Sequence, residues 1–406
     1  MVTDKHRQPG WFLLFFLILW LDTAIAQDFK VIGYLPTYRF SYQDDISYTK
    51  LTHLNLAFAN PDMDGNMSFG NVETDPIVTK AHNANVKVFA SLGGGYLEPA
   101  WETAWNSLML PQNRPAFIHK IIQFLAENDF DGADMDIEWQ FVTDLYSGFV
   151  LELKDSLAAH DYPLSVALPG SYRYPEISAA ALNAFDWVNM MIYDLTGPWD
   201  PSNPGQHSPM WWTISCIDYW MEQGVPADRL TLGVPFYGYD FSVNPVSSVT
   251  FRSMVQANPA YAFLDQVDQK FYNGINTIAA KTELALAEVS GIMIWEIGQD
   301  AFGTISEYSL LMTIDQTINN ATSITEIHGS ALTIFPNPVG DVLQVQTEQR
   351  VIEKIQISDM QGRILLETIP GASGQTVIST NQLVAGFYVL TAFTDQGKLS
   401  GKLVKN

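Results

Sequence analysis

The chain of 406 residues contains one cysteine, Cys216, so it can close no internal disulfide. Its stability has to come from a packed core. That thiol sits in 212-WTISCIDYWMEQG-224, a stretch with helical apolar spacing, and reads as buried packing rather than as a nucleophile. Positive charge is scarce as well: 21 Lys and Arg stand against 44 Asp and Glu, for a formal charge of −23. A field of that sign repels nucleic acid and anionic membranes, so neither is expected as a partner, while a neutral substrate is indifferent to it. The apolar run 11-WFLLFFLILWL-21 has 11 residues, where about 20 are needed to span a bilayer. It follows Lys5, His6 and Arg7 and precedes Ala24-Ile25-Ala26. Residues 1–26 therefore read as a signal peptide of an exported protein, with an uncleaved anchor as the alternative. Internal repeats and low-complexity tracts are missing.

What is present is a large apolar complement. Hydrophobic residues make up 47% of the chain and charged ones 16%, with 11 Trp and 17 Tyr. Such a composition can bury an extensive core, and the length suggests two folded units. The acidic excess is confined to the middle. Residues 330–406 hold six Lys/Arg and six Asp/Glu, and the first 26 residues are also neutral.

Eight short apolar runs recur from Lys30 to Gly298: 30-KVIGYL-35, 52-THLNLAFA-59, 86-VKVFASLGG-94, 131-DGADMDIEW-139, 163-PLSVALPG-170, 186-DWVNMMIYD-194, 230-LTLGVPFYG-238 and 291-GIMIWEIG-298. Helical patterns such as 115-PAFIHKIIQFLAEND-129 lie between them. Eight strands, each followed by a helix, predict an α/β fold, a (β/α)8 TIM barrel. After about residue 322 the helical patterns stop and short alternating strands with turns take over, which predicts a small all-β sandwich. The domain boundaries that follow are 27–320 for the barrel, 321–330 for a linker and 331–406 for the sandwich.

The run 129-DFDGADMDIEWQ-140 carries the chemistry. Residues i, i+2 and i+4 of a strand share one face, so Asp134, Asp136 and Glu138 point one way and Met135 and Ile137 the other. The apolar pair belongs against the helices and the acids belong in the lumen. Glu138 comes last, at the C-terminal mouth where barrel active sites sit. Three inward carboxylates cannot all ionise cheaply, so at least one holds a proton near neutral pH, as a general acid must. The pattern fits glycosidic or related acid catalysis. It also leaves open a hard-cation site built on three carboxylates and a purely structural cluster, which burial of unpaired charge disfavours.

The spacing Asp131-x-x-Asp134-x-Asp136-x-Glu138 resembles the signature of the family 18 glycoside hydrolases, the chitinase family. In the same order, 33-GYLPTY-38, Ser91-Leu92-Gly93-Gly94, Met191-Ile192-Tyr193-Asp194, 196-TGPWDPSNPGQHSPMW-211, 224-GVPADRLTLGVPFYG-238 and 291-GIMIWEIGQD-300 are similar to that family's further motifs. Gln140 departs from it, standing where many relatives have proline. The resemblance implies a retaining hydrolase in which the substrate's own acetamido oxygen is the nucleophile, an exception among retaining glycosidases. It implies that Glu138 donates the proton, that Asp136 holds the acetamido N–H, that Asp134 tunes Asp136, and that Tyr193 donates to the acetamido oxygen. Asp194, Met191, Tyr34, Tyr237 and Trp199 would shape the sugar sites, and Trp295 would form their floor. Glu296 and Asp300 would anchor loops, and Ser91, Gly93 and Gly94 would allow close packing. No cofactor or metal is called for. The implied substrate is chitin or N-acetylglucosamine oligosaccharide, cut by a monomer. An N-glycan-directed endo-β-N-acetylglucosaminidase and a non-catalytic chitin-binding lectin are the alternatives. About 50 residues separate strands seven and eight, so the insertion found there in many processive chitinases looks absent or vestigial, which implies an open, endo-acting cleft.

The segment 333-TIFPNPVGDVLQV-345, with 358-SDMQGR-363, 386-GFY-388 and a terminal 402-KLVK-405, resembles the C-terminal sorting domain of bacterial type IX secretion cargo. It implies a secreted bacterial protein, extracellular or at the cell surface, whose C-terminal module engages the secretion machinery. A carbohydrate-binding module is the alternative, and the lack of Trp in the segment speaks against it.

Overall fold

The computed structural model describes residues 29–325, 332–347, 350–359, 363–370, 375–394 and 397–405. The expected signal peptide lies outside them, as does the 326–330 part of the expected linker. Eight strands form the first unit: β1 (Lys30–Pro36), β2 (His53–Pro61), β3 (Lys87–Gly94), β4 (Gly132–Ile137), β5 (Leu164–Pro169), β6 (Trp187–Met191), β7 (Leu230–Pro235) and β8 (Gly291–Trp295). Consecutive strands pair in parallel from β2 to β8. The β8–β1 and β1–β2 pairings close the circle, with Val31 opposite Ile292 and Gly33 opposite Leu54. A closed sheet has no edge, which removes the unpaired backbone that an open sheet exposes.

Nine helices accompany the described strands: α1 (Asp75–Asn83), α2 (Pro99–Leu108), α3 (Arg114–Glu127), α4 (Tyr146–Ala158), α5 (Ala179–Ala184), α6 (Met210–Glu222), α7 (Phe251–Ala257), α8 (Ile275–Glu288) and α9 (Leu310–Thr325). The expectation of a helix after every strand fails once. β1 is followed only by 3-10 turns at Thr37–Tyr42 and Tyr48–Lys50. The reason is local: 37-TYRFSYQDDISYTK-50 has aromatic and β-branched residues without a helical apolar period. A second correction concerns the linker, because α9 continues through residues 321–325. Its inner face is fixed by buried Leu310, Leu311 and Ile314, and the helix runs past them.

The main core lies between strands and helices. Met135 and Ile137 are buried there with Phe117, Ile121, Phe149 and Leu153. Each such side chain contributes roughly 1.5–3 kcal/mol on leaving water. A second cluster fills the lumen and holds Ile32, Tyr34, Phe89, Trp187, Tyr193, Tyr237 and Met293. Low in it, His53 packs edge-on against Phe89 and Trp187. Burial, with Lys87 and Lys30 nearby, lowers that imidazole to about 3, so it is a neutral plug. Cys216 is buried in α6.

The stretch between β7 and α8 folds into a small antiparallel sheet of four short strands, Tyr237–Asp240, Ser247–Thr250, Gln266–Val267 and Lys270–Phe271, together with α7. After α9 the described chain is all β. One antiparallel sheet joins Leu332–Phe335, Val342–Thr347 and Gln375–Ser379. The other joins Ile352–Ser358, Ile364–Thr368, Gly386–Thr394 and Gly397–Lys405. Val345, Ile355, Ile357, Leu390 and Leu403 form their common core.

Candidate active site

β4 sets the site by its pleat. Asp134 lies opposite Ser91 of β3 and Ser165 of β5, and Asp136 lies opposite Gly93. Asp134 is fully buried. Its Oδ2 accepts from Tyr34 (2.6 Å) and Ser91 (2.9 Å), and its Oδ1 accepts from Ser165 (2.5 Å) and Asn189 (3.2 Å). Burial pushes its proton affinity up, and the hydrogen bonds from Ser165, Tyr34 and Ser91, together with Asn55, oppose the shift. Asn189 is locked in turn. Its Nδ2 also reaches the Tyr34 hydroxyl (3.1 Å), while its Oδ1 accepts from Trp187 (3.1 Å) and Thr231 (2.7 Å).

One residue pair higher, Asp136 is 3% exposed, and its Oδ1 is buried with no hydrogen-bond partner. A buried acceptor left unmade costs about 1–3 kcal/mol, a cost that a donor from outside the protein would offset. Burial first, and then the charges of Glu138 and Asp134, raise the Asp136 carboxyl well above the usual range. Glu138 follows the end of β4. Burial first and the Asp194 carboxylate second push it up to about 8, against the opposing hydrogen bond with Asp136. The row is thus graded: a saturated carboxyl at the bottom, one with an open acceptor in the middle, and one holding a proton at neutral pH at the mouth.

The walls come from other strands. Trp295 ends β8, and its indole stacks on Phe58 at 5.8 Å and tilts against Tyr34 at 5.7 Å. Tyr193 follows β6, with its hydroxyl 3.8 Å from Met293 Sδ. Asp194 comes next at φ 67° and accepts from the Tyr239 hydroxyl (2.8 Å) and the Tyr237 hydroxyl. Met191 closes β6 and packs partly buried against the lumen cluster. Trp199 is 57% exposed and meets Tyr239 edge-on at 5.8 Å. Trp139, 54% exposed, accompanies Glu138 at the rim. Glu296 accepts from Arg39 Nε (2.9 Å), and Asp300 accepts from Ser309 and the Leu310 amide, so both carboxylates tie loops.

The structure therefore gathers Asp136, Glu138, Tyr193, Asp194, Met191 and Trp295 around one mouth, with Asp134 and Tyr237 behind them. It separates two of the expected sugar contacts from the surface. Tyr34 is 1% exposed with its hydroxyl committed to Asp134, and Tyr237 is 6% exposed with its hydroxyl committed to Asp194. Both hydroxyls are thereby engaged within the protein. Ser165, Asn189 and Thr231 were missed by reasoning from sequence. Each is a polar residue inside an apolar strand, which is the signal that could have found them. Gly95 was missed too: a methyl group there would stand 2.7 Å from Glu138 Oε1. Among the described residues no three His, Cys, Asp or Glu side chains are grouped so as to hold a metal ion.

Comparison with known proteins matches residues 30–300 to the family model of glycosyl hydrolases family 18, and residues 333–406 to the secretion system C-terminal sorting domain. Among solved structures, the fold is similar to the family 18 chitinase ChiB from the chitin utilization locus of Flavobacterium johnsoniae. The two are 41% identical with a TM-score of 0.71, over 73% of this chain and 96% of that one. A chitinase from Bacteroides thetaiotaomicron is 27% identical with a TM-score of 0.62, over 71% and 96% of the two chains. A chitinase-like effector of Moniliophthora roreri is 28% identical over 49% of this chain, and the match spans 55% of that relative's length.

Proposed function

Because the chain belongs to glycosyl hydrolase family 18, we propose that it hydrolyses the β-1,4 bonds between N-acetylglucosamine units of chitin, with Glu138 as proton donor and the substrate's acetamido group as nucleophile. The observation that carries this reading is the open, buried Oδ1 of Asp136 beside Glu138. An acetamido N–H is a donor that this acceptor lacks. Its capture turns the acetamido oxygen toward the anomeric carbon. Glu138 then protonates the leaving oxygen, and as a carboxylate it later activates the water that opens the oxazolinium ion. The developing positive charge favours the ionised form of the Asp136 carboxyl, which then stabilises that cation. Tyr193 donates to the acetamido oxygen, and the Trp295 face supports the reacting sugar. Trp199, exposed at the rim, extends the platform, and Asp194 with Met191 shapes the pocket. The C-terminal sorting domain indicates secretion in bacteria, which supports a polymer as the substrate.

The pH dependence follows from Glu138. Its proton affinity is raised, to about 8, so the acid form is present below that pH and is lost as pH rises through it. The basic limb of kcat/KM on chitotetraose is expected near pH 8. A limb near the ordinary carboxylate range of about 4–5 would contradict the assignment.

The small sheet between β7 and α8 has strands of only two to four residues, a low wall that supports endo-type, weakly processive cutting. On long N-acetylglucosamine oligosaccharides, early products of mixed length are expected. Chitobiose dominating from the first minutes would sink the endo assignment.

A further inference from the structure

His207 lies directly behind Asp194 and has no part in the reaction as derived above. The loop that leaves β6 through Asp194 returns at His207, where the Leu195 amide donates to the His207 carbonyl (2.9 Å). The imidazole has no exposed surface. It packs against Tyr237 at 4.9 Å and Tyr239 at 5.1 Å between ring centres. Its nitrogens face two backbone groups. Nε2 is 3.1 Å from the Tyr237 carbonyl oxygen, and Nδ1 is 3.4 Å from the Asp194 amide nitrogen. A carbonyl can only accept and an amide N–H can only donate. A proton on Nε2 and a lone pair on Nδ1 would satisfy both backbone groups.

That arrangement has two consequences for Asp194. Its φ of 67° lies in the left-handed region, which costs an L-residue roughly 1–2 kcal/mol, and the bond from its amide to Nδ1 helps hold it there. Its Oδ1 is 3.4 Å from Nδ1, and an unprotonated Nδ1 brings no positive charge to it. The other ionisable groups around it are Tyr237 and Tyr239, which donate to that oxygen, Tyr193 beside it in the chain, and Glu138 across the mouth. Lys281 of α8 stops one residue short, its Nζ donating to the Ser208 carbonyl (2.7 Å) and Ser208 Oγ (2.6 Å). Asp265 is engaged by the Gly274 amide and Thr277.

We propose that His207 is a positioning residue: as a neutral imidazole protonated on Nε2, it holds Asp194 in its left-handed turn and leaves that carboxylate charged and aimed beside Glu138. A proton on Nδ1 would do the opposite. It would remove the acceptor of the Asp194 amide and pair with Oδ1, cancelling the charge that helps keep Glu138 protonated. The inference rests on the hydrolase reading of the site.

Two measurements on the full chain test it. In the first, two-bond 1H–15N spectra of the 15N-labelled protein at neutral pH report the tautomer, with the His207 signals identified by their loss in His207→Asn. A neutral Nε2–H ring is expected, and a proton on Nδ1 overturns the proposal. In the second, chitotetraose kinetics are compared for wild type, His207→Phe and His207→Asn. The phenyl ring keeps the packing and loses both hydrogen bonds, so kcat falls about tenfold to a hundredfold with KM changed less than about threefold. The basic limb of kcat/KM also moves down by about half a pH unit or more. Asparagine supplies one donor and one acceptor and restores most of the rate and the limb. Phe and Asn variants both within about twofold of wild type would overturn the proposal. So would a rate loss with an unmoved limb and a lowered unfolding temperature, which marks a merely structural role. If wild type leaves chitotetraose uncut, the hydrolase reading fails, and the spectra still decide the state of the ring.

Discussion

Replacing Glu138 with glutamine is expected to lower kcat on chitotetraose by about 10³- to 10⁴-fold while KM stays within a few-fold. The substitution keeps the volume and the hydrogen-bonding capacity of a group that is 9% exposed, so the fold has nothing to lose. What disappears is the transferable proton. The wild-type carboxyl keeps it because burial and the Asp194 charge hold its proton affinity up to about 8. An amide has no such proton, and it cannot become the carboxylate that activates water in the second step. Both halves of the reaction therefore fail together. In the wild type, the first products read before mutarotation are expected as the β-anomer, since two displacements at one carbon restore its configuration. A glutamine variant with more than about a tenth of wild-type activity, or an α-anomer first product, would remove Glu138 from the role of donor.

Asp136→Asn is expected to cost about 10²- to 10³-fold in kcat. The middle carboxylate is isosteric with the amide, and its neighbours Asp134 and Glu138 remain. The variant loses a carboxyl that can ionise against the developing cation, and one of its two acceptor positions becomes a donor. If the amide group turns its nitrogen to the open position now held by Oδ1, it meets the substrate N–H donor to donor. The loss should be larger in kcat than in KM, because the cation exists only along the reaction path. A loss below about fivefold would mean that Asp136 neither orients the acetamido group nor stabilises the cation.

The row of acids was legible for one reason. A strand has a side-chain period of two, so the positions of Asp134, Asp136 and Glu138 on one face and Met135 and Ile137 on the other can be read without knowing what lies opposite. The eight apolar runs were legible on similar grounds, and they correspond to β1–β8 to within a few residues at each end. The helix that is missing after β1 is also a local matter, visible as the lack of a helical period once the question is asked. The roles of single tyrosines were not legible. Tyr34 and Tyr237 sit next to motifs at the mouth, and sequence position alone suggests sugar contact. Their hydroxyls are instead spent on Asp134 and Asp194, because the closed barrel turns both rings into the lumen.

By itself, then, the sequence determined the alternation of strand and helix, the face on which the carboxylates stand and the change to an all-β module after the barrel. All of these are properties of neighbours along the chain, where side-chain period and turn chemistry act directly. Tertiary structure alone decided which acid is saturated, which oxygen is left open and where the supporting residues come from. Asn189 reaches Tyr34 across 155 residues, and Asp134 gathers donors 31 to 100 residues away. The Tyr34 contacts exist only because β1 closes the sheet between β8 and β2. Closure removes water from the lumen, and in that low-dielectric interior each unmatched donor, acceptor or charge changes the proton affinity of the next.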